Sequence, residues 1–113
     1  MRDLAPEIYR QRLIIEGYCA QPIDDAQIKD YLEQLSVVTG MTALIKPVTH
    51  RSDLYGWAGW IHWETSGAHL YAWEQPRLFF SVDIYTCKAF NVNNAVEFTQ
   101  RYFKASHIEF KET

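Results

Sequence analysis

The chain has 113 residues, of which 48% are apolar, 15% aromatic and 22% charged. This length allows one domain with a single core, and the apolar content excludes a disordered chain. A net charge of −3 without a basic run argues against nucleic acid and against an anionic membrane as partners. No segment has a signal-peptide or membrane-spanning pattern, so we expect a cytoplasmic protein.

The chain divides into an arm, residues 1–10, and one domain, residues 11–113. The run from Gln11 to Cys19 is rich in β-branched and aromatic residues and predicts a largely buried strand. Asp24 is positioned to cap a helix with Gln27 at the reciprocal capping position, and apolar residues recur at helical spacing up to Gly40.

The next segments predict four strands and a helix, and the chain closes with a short strand around His107 to Phe110. This order predicts an α+β fold, a two-layer sandwich in which a mainly antiparallel sheet carries two helices on one face. The other face remains open, and its aromatic content favours a homodimer. The predicted strands are Met41–Thr49, Gly56–Glu64, Ser66–Trp73 and Leu78–Thr86, and the helix is Asn91–Phe103.

Cysteine and histidine patterns point to no metal. Cys19 and Cys87 are expected to be reduced thiols, because they show no paired zinc spacing. A site can be drawn from His62 and Glu64 on the third strand with His69 on the fourth. No ligand spacing there is diagnostic, so we expect no bound metal.

Three groups of residues, taken in order, resemble one known family. They are the run Arg12–Tyr18, then His50, Gly59, Ser66 and Trp73, then the run Val82–Cys87. In order and in most of their spacing they are similar to the bacterial and archaeal S-adenosylmethionine decarboxylases. These are pyruvoyl-dependent lyases of polyamine biosynthesis, the route to spermidine.

The resemblance implies a cofactor made from the chain itself by autocatalytic cleavage. Ser66 stands where the family serine attacks the preceding carbonyl and becomes a pyruvoyl group. That group condenses with a small-molecule amine substrate and takes up electrons as carbon dioxide leaves. Cys87 stands where the family has its catalytic cysteine, which returns a proton to the product.

Four positions depart from the family pattern. Tyr71 replaces a histidine that assists processing, and Ala58 replaces a serine with a similar role. Thr65 and Gly67 replace the glutamate and histidine that flank the family serine. His50 aligns with a family histidine, although a polar turn residue explains it equally well, and Tyr71 is the residue available as a substitute proton donor.

Substrate contacts have less specific candidates. Glu16 lies in an otherwise apolar strand and is a candidate for contacting a cationic substrate, although a solvated strand residue is the alternative. Trp73 is a candidate for stacking on a planar substrate, as are the other tryptophans, Trp57, Trp60 and Trp63. Core or dimer packing is the competing account.

Two functions remain open from the sequence. One is a pyruvoyl-dependent decarboxylase acting on S-adenosylmethionine or on a related amino acid such as arginine or ornithine. The other is an unprocessed, non-catalytic relative that acts as a binding or regulatory protein.

Overall fold

A computed structural model describes residues 1–113. The order of elements is the predicted one: a strand, a helix, four strands, a helix and a final strand. The strands are β1 (Gln11–Tyr18), β2 (Val48–Ser52), β3 (Gly56–Trp63), β4 (Ser66–Trp73), β5 (Phe79–Thr86) and β6 (His107–Glu112), and the helices are α1 (Asp25–Thr39) and α2 (Val92–Phe103).

The six strands form one antiparallel sheet with the order β2-β3-β4-β5-β1-β6. Both helices pack on the same face, and they contact each other as well as the sheet. The predicted two-layer α+β sandwich is therefore confirmed. Neither helix is long and apolar enough to cross a lipid bilayer.

The core lies between the helices and the sheet because each long strand alternates buried and accessible residues. In β5, for example, Phe80, Val82 and Ile84 are fully buried. Trp63 of β3 is also fully buried, and its indole N–H donates to Ser36 Oγ of α1 at 2.7 Å. A buried indole with a hydrogen-bond acceptor can enter the core without leaving its donor unsatisfied.

Capping side chains define where the two helices begin. The Asp24 side chain accepts a hydrogen bond from the Gln27 backbone N–H, and the Asp24 backbone N–H donates to the Gln27 side-chain oxygen, as predicted. Asn91 caps α2 through the amide of Asn94. Tyr31 of α1 forms a hydrogen bond with Thr99 of α2, with its hydroxyl 2.7 Å from Thr99 Oγ1. Because Tyr31 is buried, the pKa of its hydroxyl is raised.

The predicted second strand, Met41–Thr49, is placed too early in the chain. The first part of that segment makes only an isolated bridge between Ala43 and Trp63. Pro47 has no backbone N–H to donate to a ladder, which separates this bridge from β2. The strand then continues through His50 to Ser52, where the sequence suggested a polar turn.

The face of the sheet away from the helices, here called the open face, carries a connected aromatic row. It runs from Trp60 through His69, Tyr71, Trp73, Phe79 and Tyr18 to His107, with neighbouring ring centroids 5.3 to 6.3 Å apart. Tyr18 and Tyr71 are each 40% exposed. In the isolated chain this face is uncovered.

Candidate functional site

The candidate processing serine opens a strand at a tight hairpin. Glu64 and Thr65 form the turn between β3 and β4, and Trp63 pairs with Ser66 across it. Ser66 has φ 138°, a value that side-chain-bearing residues rarely adopt. Such a conformation stores roughly 1 to 3 kcal/mol, and residues held in this way cluster at functional sites.

The carbonyl group that precedes Ser66 accepts a hydrogen bond from the second candidate catalytic residue. The backbone N–H of Cys87 donates to the Thr65 carbonyl oxygen at 2.9 Å. The register explains this contact, because Ser66 lies opposite Thr86 of β5 and Cys87 is the next residue. The structure therefore brings Ser66 and Cys87, which are far apart in sequence, to one end of the sheet.

The two cysteines have different environments. Cys87 is exposed just beyond the end of β5, whereas Cys19 is partly buried beside the core. Burial raises the pKa of the Cys19 thiol, which keeps it protonated and inert. Cys87 is therefore the thiol that a small molecule can reach. The sequence alone would have favoured a buried Cys87, and only the resemblance singled it out.

Beside the Ser66 end of the sheet lies a cavity that the sequence did not predict. Its volume is about 480 Å³. Arg12 makes two hydrogen bonds to Asp83, at 3.0 and 2.8 Å, and these raise the pKa of Arg12. Arg12 and Tyr85 both line the cavity, and Tyr85 pairs with Gly67, the residue after Ser66. The cavity is lined by Met1, Asp3, Ile8, Arg10, Gln11, Arg12, Tyr85 and Thr113.

Residues of the N-terminal arm contribute half of this cavity. Within the arm, Arg10 pairs with Asp3 and the Ile8 N–H donates to the Ala5 carbonyl at 2.9 Å. Arg10 and Arg12 are separated by one residue, a spacing that puts side chains on one side of an extended chain. This spacing is the sequence feature that could have indicated that the two guanidinium groups share a cavity, although it was not among the predicted sites.

The candidate substrate contacts lie away from Ser66. Trp73 is at the other end of β4, about 23 Å from Ser66 at roughly 3.3 Å per residue. Glu16 is exposed on the open face and pairs with Ser81 and with Glu109. One shallow depression there, of about 300 Å³, is lined by Tyr18, Trp73, Pro76, Arg77 and Phe79. A neighbouring one, of about 130 Å³, includes Glu16 and Glu109.

The candidate processing residues share one row across the open face. Tyr71 pairs with Ala58, and Ala58 pairs with His50 on the edge strand β2. Tyr71 is five positions along β4 from Ser66, a distance of about 16 Å at roughly 3.3 Å per residue. Within one protomer, therefore, none of these three side chains reaches Ser66.

The tryptophans are candidates either for stacking on a substrate or for packing in the core or a dimer, and the structure decides between these roles for Trp63. Trp63 is fully buried, so it packs in the core and stacks on no substrate. Trp60 and Trp73 lie on the open face, and Trp57 lies under Arg51, whose guanidinium carbon is 5.8 Å from the indole ring. His62, Glu64 and His69 do not form a group that would hold a metal ion, and no other such group of three is present.

The geometry defines a class: a two-layer α+β protein with a serine held in a strained hairpin and an exposed cysteine beside it. Comparison with known proteins agrees with this class. The protein-family model for S-adenosylmethionine decarboxylase matches residues 11–113 of this chain. Because this match covers far more than half of the chain, the chain belongs to the S-adenosylmethionine decarboxylase family.

A solved structure supports the same fold. The crystal structure of the adenosylmethionine decarboxylase from Aquifex aeolicus VF5 aligns with a TM-score of 0.76, covering 94% of this chain and 89% of that chain. The sequence identity is 14%, so this likeness bears on the fold alone. No curated protein matches the chain significantly.

Proposed function

We propose that this chain is a pyruvoyl-dependent decarboxylase of S-adenosylmethionine, or of a related amino acid such as arginine or ornithine, in polyamine biosynthesis. The observation that carries the proposal is the hairpin: Ser66 has a strained backbone, and the carbonyl before it is hydrogen-bonded by the Cys87 amide. Cytoplasm is the compartment we propose for this activity.

The hairpin geometry suits the attack that produces the cofactor. The hydroxyl of Ser66 has to add to the Thr65 carbonyl carbon, and negative charge develops on the Thr65 carbonyl oxygen as it does so. A backbone N–H already aimed at that oxygen stabilises the charge without reorganisation. Breaking the Thr65–Ser66 peptide bond also releases the strain at Ser66, which favours cleavage at this bond over others.

The residues at this end of the sheet fit a pyruvoyl group at position 66. When formed, such a group supplies the electron sink that decarboxylation of an amino acid needs. Cys87 is exposed and follows Thr86, the register partner of Ser66, and this position supports a role for its thiol in delivering a proton to the product carbon. Arg10 and Arg12 line the adjacent cavity and offer guanidinium groups to a substrate carboxylate.

We further propose that the working enzyme is a homodimer packed through the open face. Glu16, Trp73 and Tyr71 all lie on this face and are too far from Ser66 to act on it in the same chain. In a dimer, the same residues of a second copy can approach the hairpin. The uncovered aromatic row supplies the apolar area that such an interface requires.

A second candidate function is a non-catalytic relative that stays uncleaved and binds a ligand or regulates a partner. The specific observation in its favour is the pair Ala58 and Tyr71. These two residues face each other on the open face, where the family carries a serine and a histidine that assist processing. The exposed aromatic row would then be a binding surface.

The intact mass of the purified protein under denaturing conditions tests the leading proposal. Cleavage predicts two fragments that meet between Thr65 and Ser66, the second carrying a carbonyl that reacts with hydroxylamine. Ser66→Ala removes the attacking hydroxyl, so cleavage and decarboxylation should both be abolished. Ser106→Ala is the matched control because Ser106 is an exposed loop serine, and it should change neither.

A single full-length mass for the unmodified chain would overturn the decarboxylase proposal and favour the binding protein. Decarboxylation that survives in Ser66→Ala would also overturn it, because the activity would then have another origin.

A further inference from the structure

The cavity beside the Ser66 end of the sheet contains two arginines whose carboxylate partners differ. Arg12 makes two hydrogen bonds to Asp83, whereas Arg10 forms an ion pair with Asp3. Asp83 is fixed in β5, an interior strand of the sheet, while Asp3 belongs to the arm that precedes β1. Arg10 is therefore the guanidinium whose partner can be exchanged for another carboxylate.

The arm is folded into a short loop that presents Asp3 to Arg10. The Asp3 carboxylate accepts a hydrogen bond from the Ala5 backbone N–H at 2.9 Å, and the Arg10 guanidinium also donates to the Ala5 carbonyl at 3.3 Å. These side-chain bonds are exposed to water, where an ion pair contributes little to stability. The loop can therefore release Arg10 at a small cost when another anion takes its place.

Asp3 and Arg10 both remain charged near neutral pH. The hydrogen bond from the Ala5 backbone and the pairing with Arg10 lower the pKa of Asp3. Asp3, and to a lesser extent Tyr85, raise the pKa of Arg10. Because neither group titrates in this range, a change of pH does not free Arg10. Exchange with a second carboxylate is the remaining way to free Arg10 from Asp3.

The cavity has the size and the lining that suit an organic anion. Its volume of about 480 Å³ lies within the range of sites for small molecules. Arg10 and Arg12 supply guanidinium groups, whose planar geometry matches a carboxylate. Met1, Ile8 and Tyr85 add apolar and aromatic surface beside these charges.

We propose that Arg10 binds the α-carboxylate of the amino-acid substrate and that Asp3 is a built-in competitor, which returns to Arg10 when no such carboxylate is present. This inference rests on the proposed function. S-Adenosylmethionine, arginine and ornithine all carry this carboxylate, whereas their decarboxylated products do not. The pair of Arg10 and Asp3 therefore distinguishes the substrate from the product.

A competitor on Arg10 also limits how tightly the substrate carboxylate is held. The carboxylate becomes neutral carbon dioxide during the reaction, so its contact with a guanidinium is stronger in the bound substrate than in the transition state. An interaction of this kind lowers KM and kcat together, because it stabilises the bound substrate more than the transition state. Asp3 weakens the contact by occupying Arg10 for part of the time.

Steady-state kinetics of the processed enzyme test this role, with whichever of the three amino acids it decarboxylates. Asp3→Asn should lower KM by about 2- to 5-fold, the effect of an exposed ion pair, and should lower kcat by a similar factor. Arg10→Gln should raise KM by about 10-fold, so that kcat/KM falls by that factor. Asp53→Asn is the matched control, because it removes one negative charge from the exposed turn between β2 and β3, and it should change neither constant.

A double variant and a protease provide further readouts. In the Arg10→Gln background, Asp3→Asn should have no effect, because the group for which Asp3 competes is gone. Trypsin binds an arginine side chain in a pocket that contains a carboxylate, so it also competes with Asp3 for Arg10. Cleavage after Arg10, followed by mass spectrometry, should be about 2- to 5-fold faster in Asp3→Asn than in the unmodified chain or in Asp53→Asn.

The contrary results are distinguishable. In an active enzyme, equal KM values for Asp3→Asn and Asp53→Asn would overturn this inference and leave the decarboxylase proposal standing. A lower kcat/KM in Asp3→Asn would also overturn it, since structural damage produces that pattern and weaker competition does not. Equal rates of trypsin cleavage would show that Asp3 does not withhold Arg10. An unmodified chain without decarboxylase activity would overturn the proposed function, and this inference with it.

Discussion

At residue scale, Ser66 combines an unusual backbone with an unusual environment. Its φ of 138° is tolerated because register pairing with Trp63 and Thr86 holds both sides of the residue. Glycine relieves such strain, since it has no Cβ to clash. The protein instead carries serine here, and the hydroxyl is the group that the proposed formation of the cofactor requires.

Two uncleavable variants measure this strain. We expect Ser66→Gly to be more stable than Ser66→Ala by about 1 kcal/mol, because alanine keeps the Cβ in a conformation that glycine adopts freely. Urea unfolding of the two purified proteins gives the difference in the free energy of unfolding. Equal stabilities, or a more stable alanine variant, would show that the backbone at position 66 is not strained.

At the scale of elements, the helix boundaries follow from local sequence and the second strand does not. Asp24 and Gln27 satisfy the first turn of α1 by themselves, and Gly40, with φ 72°, ends the helix in the left-handed conformation that glycine adopts readily. In contrast, the Met41–Thr49 segment has the composition of a strand, yet only its last residues pair in a ladder.

The capping box allows a direct test of the first helix. Asp24→Ala removes the acceptor for the Gln27 amide and should lower the free energy of unfolding by about 1 kcal/mol. Asp25→Ala is the matched control. Asp25 makes only an exposed ion pair with Lys29, at 3.9 Å, and the expected change is a few tenths of a kcal/mol. Urea denaturation of both variants measures the change in the free energy of unfolding. An equal decrease in Asp24→Ala and Asp25→Ala would contradict the assignment of Asp24 as the cap.

At the scale of the whole molecule, the main feature is an uncovered sheet face. The helices cover one side, while the other presents the aromatic row, the histidines and the salt bridge between Arg12 and Asp83. A face of this kind is normally an interaction surface. The proposed dimer accounts for the open face and for the distance between Ser66 and the other candidate residues.

Ile14→Lys tests the proposed interface. Ile14 is half-buried on the open face, paired with Asp83 and Lys111, and an added lysine would place a charge in the centre of the contact. We expect the variant to sediment with the 13.3 kDa mass of one chain, while the unmodified protein sediments as a dimer. Val37→Lys, at a side chain 81% exposed on α1, should leave the dimer intact. An unmodified protein that is monomeric at micromolar concentration would refute the interface.

The sequence by itself determined the order of elements, the cap of the first helix and the identity of Ser66 and Cys87 as candidates. These features depend on residues that are close together in the sequence or on a family pattern, so they can be predicted from the sequence alone. It also predicted β4 at its observed bounds, because alternation between buried and open residues is regular there.

Only the tertiary structure decided which candidates meet. It placed the Cys87 amide on the Thr65 carbonyl, separated Glu16 and Trp73 from Ser66, and buried Trp63 in the core. It also revealed the cavity formed with Arg10 and the gathering of all histidines on one face. These outcomes depend on strand order and register, which are set by contacts between distant parts of the chain and leave no local signal in the sequence.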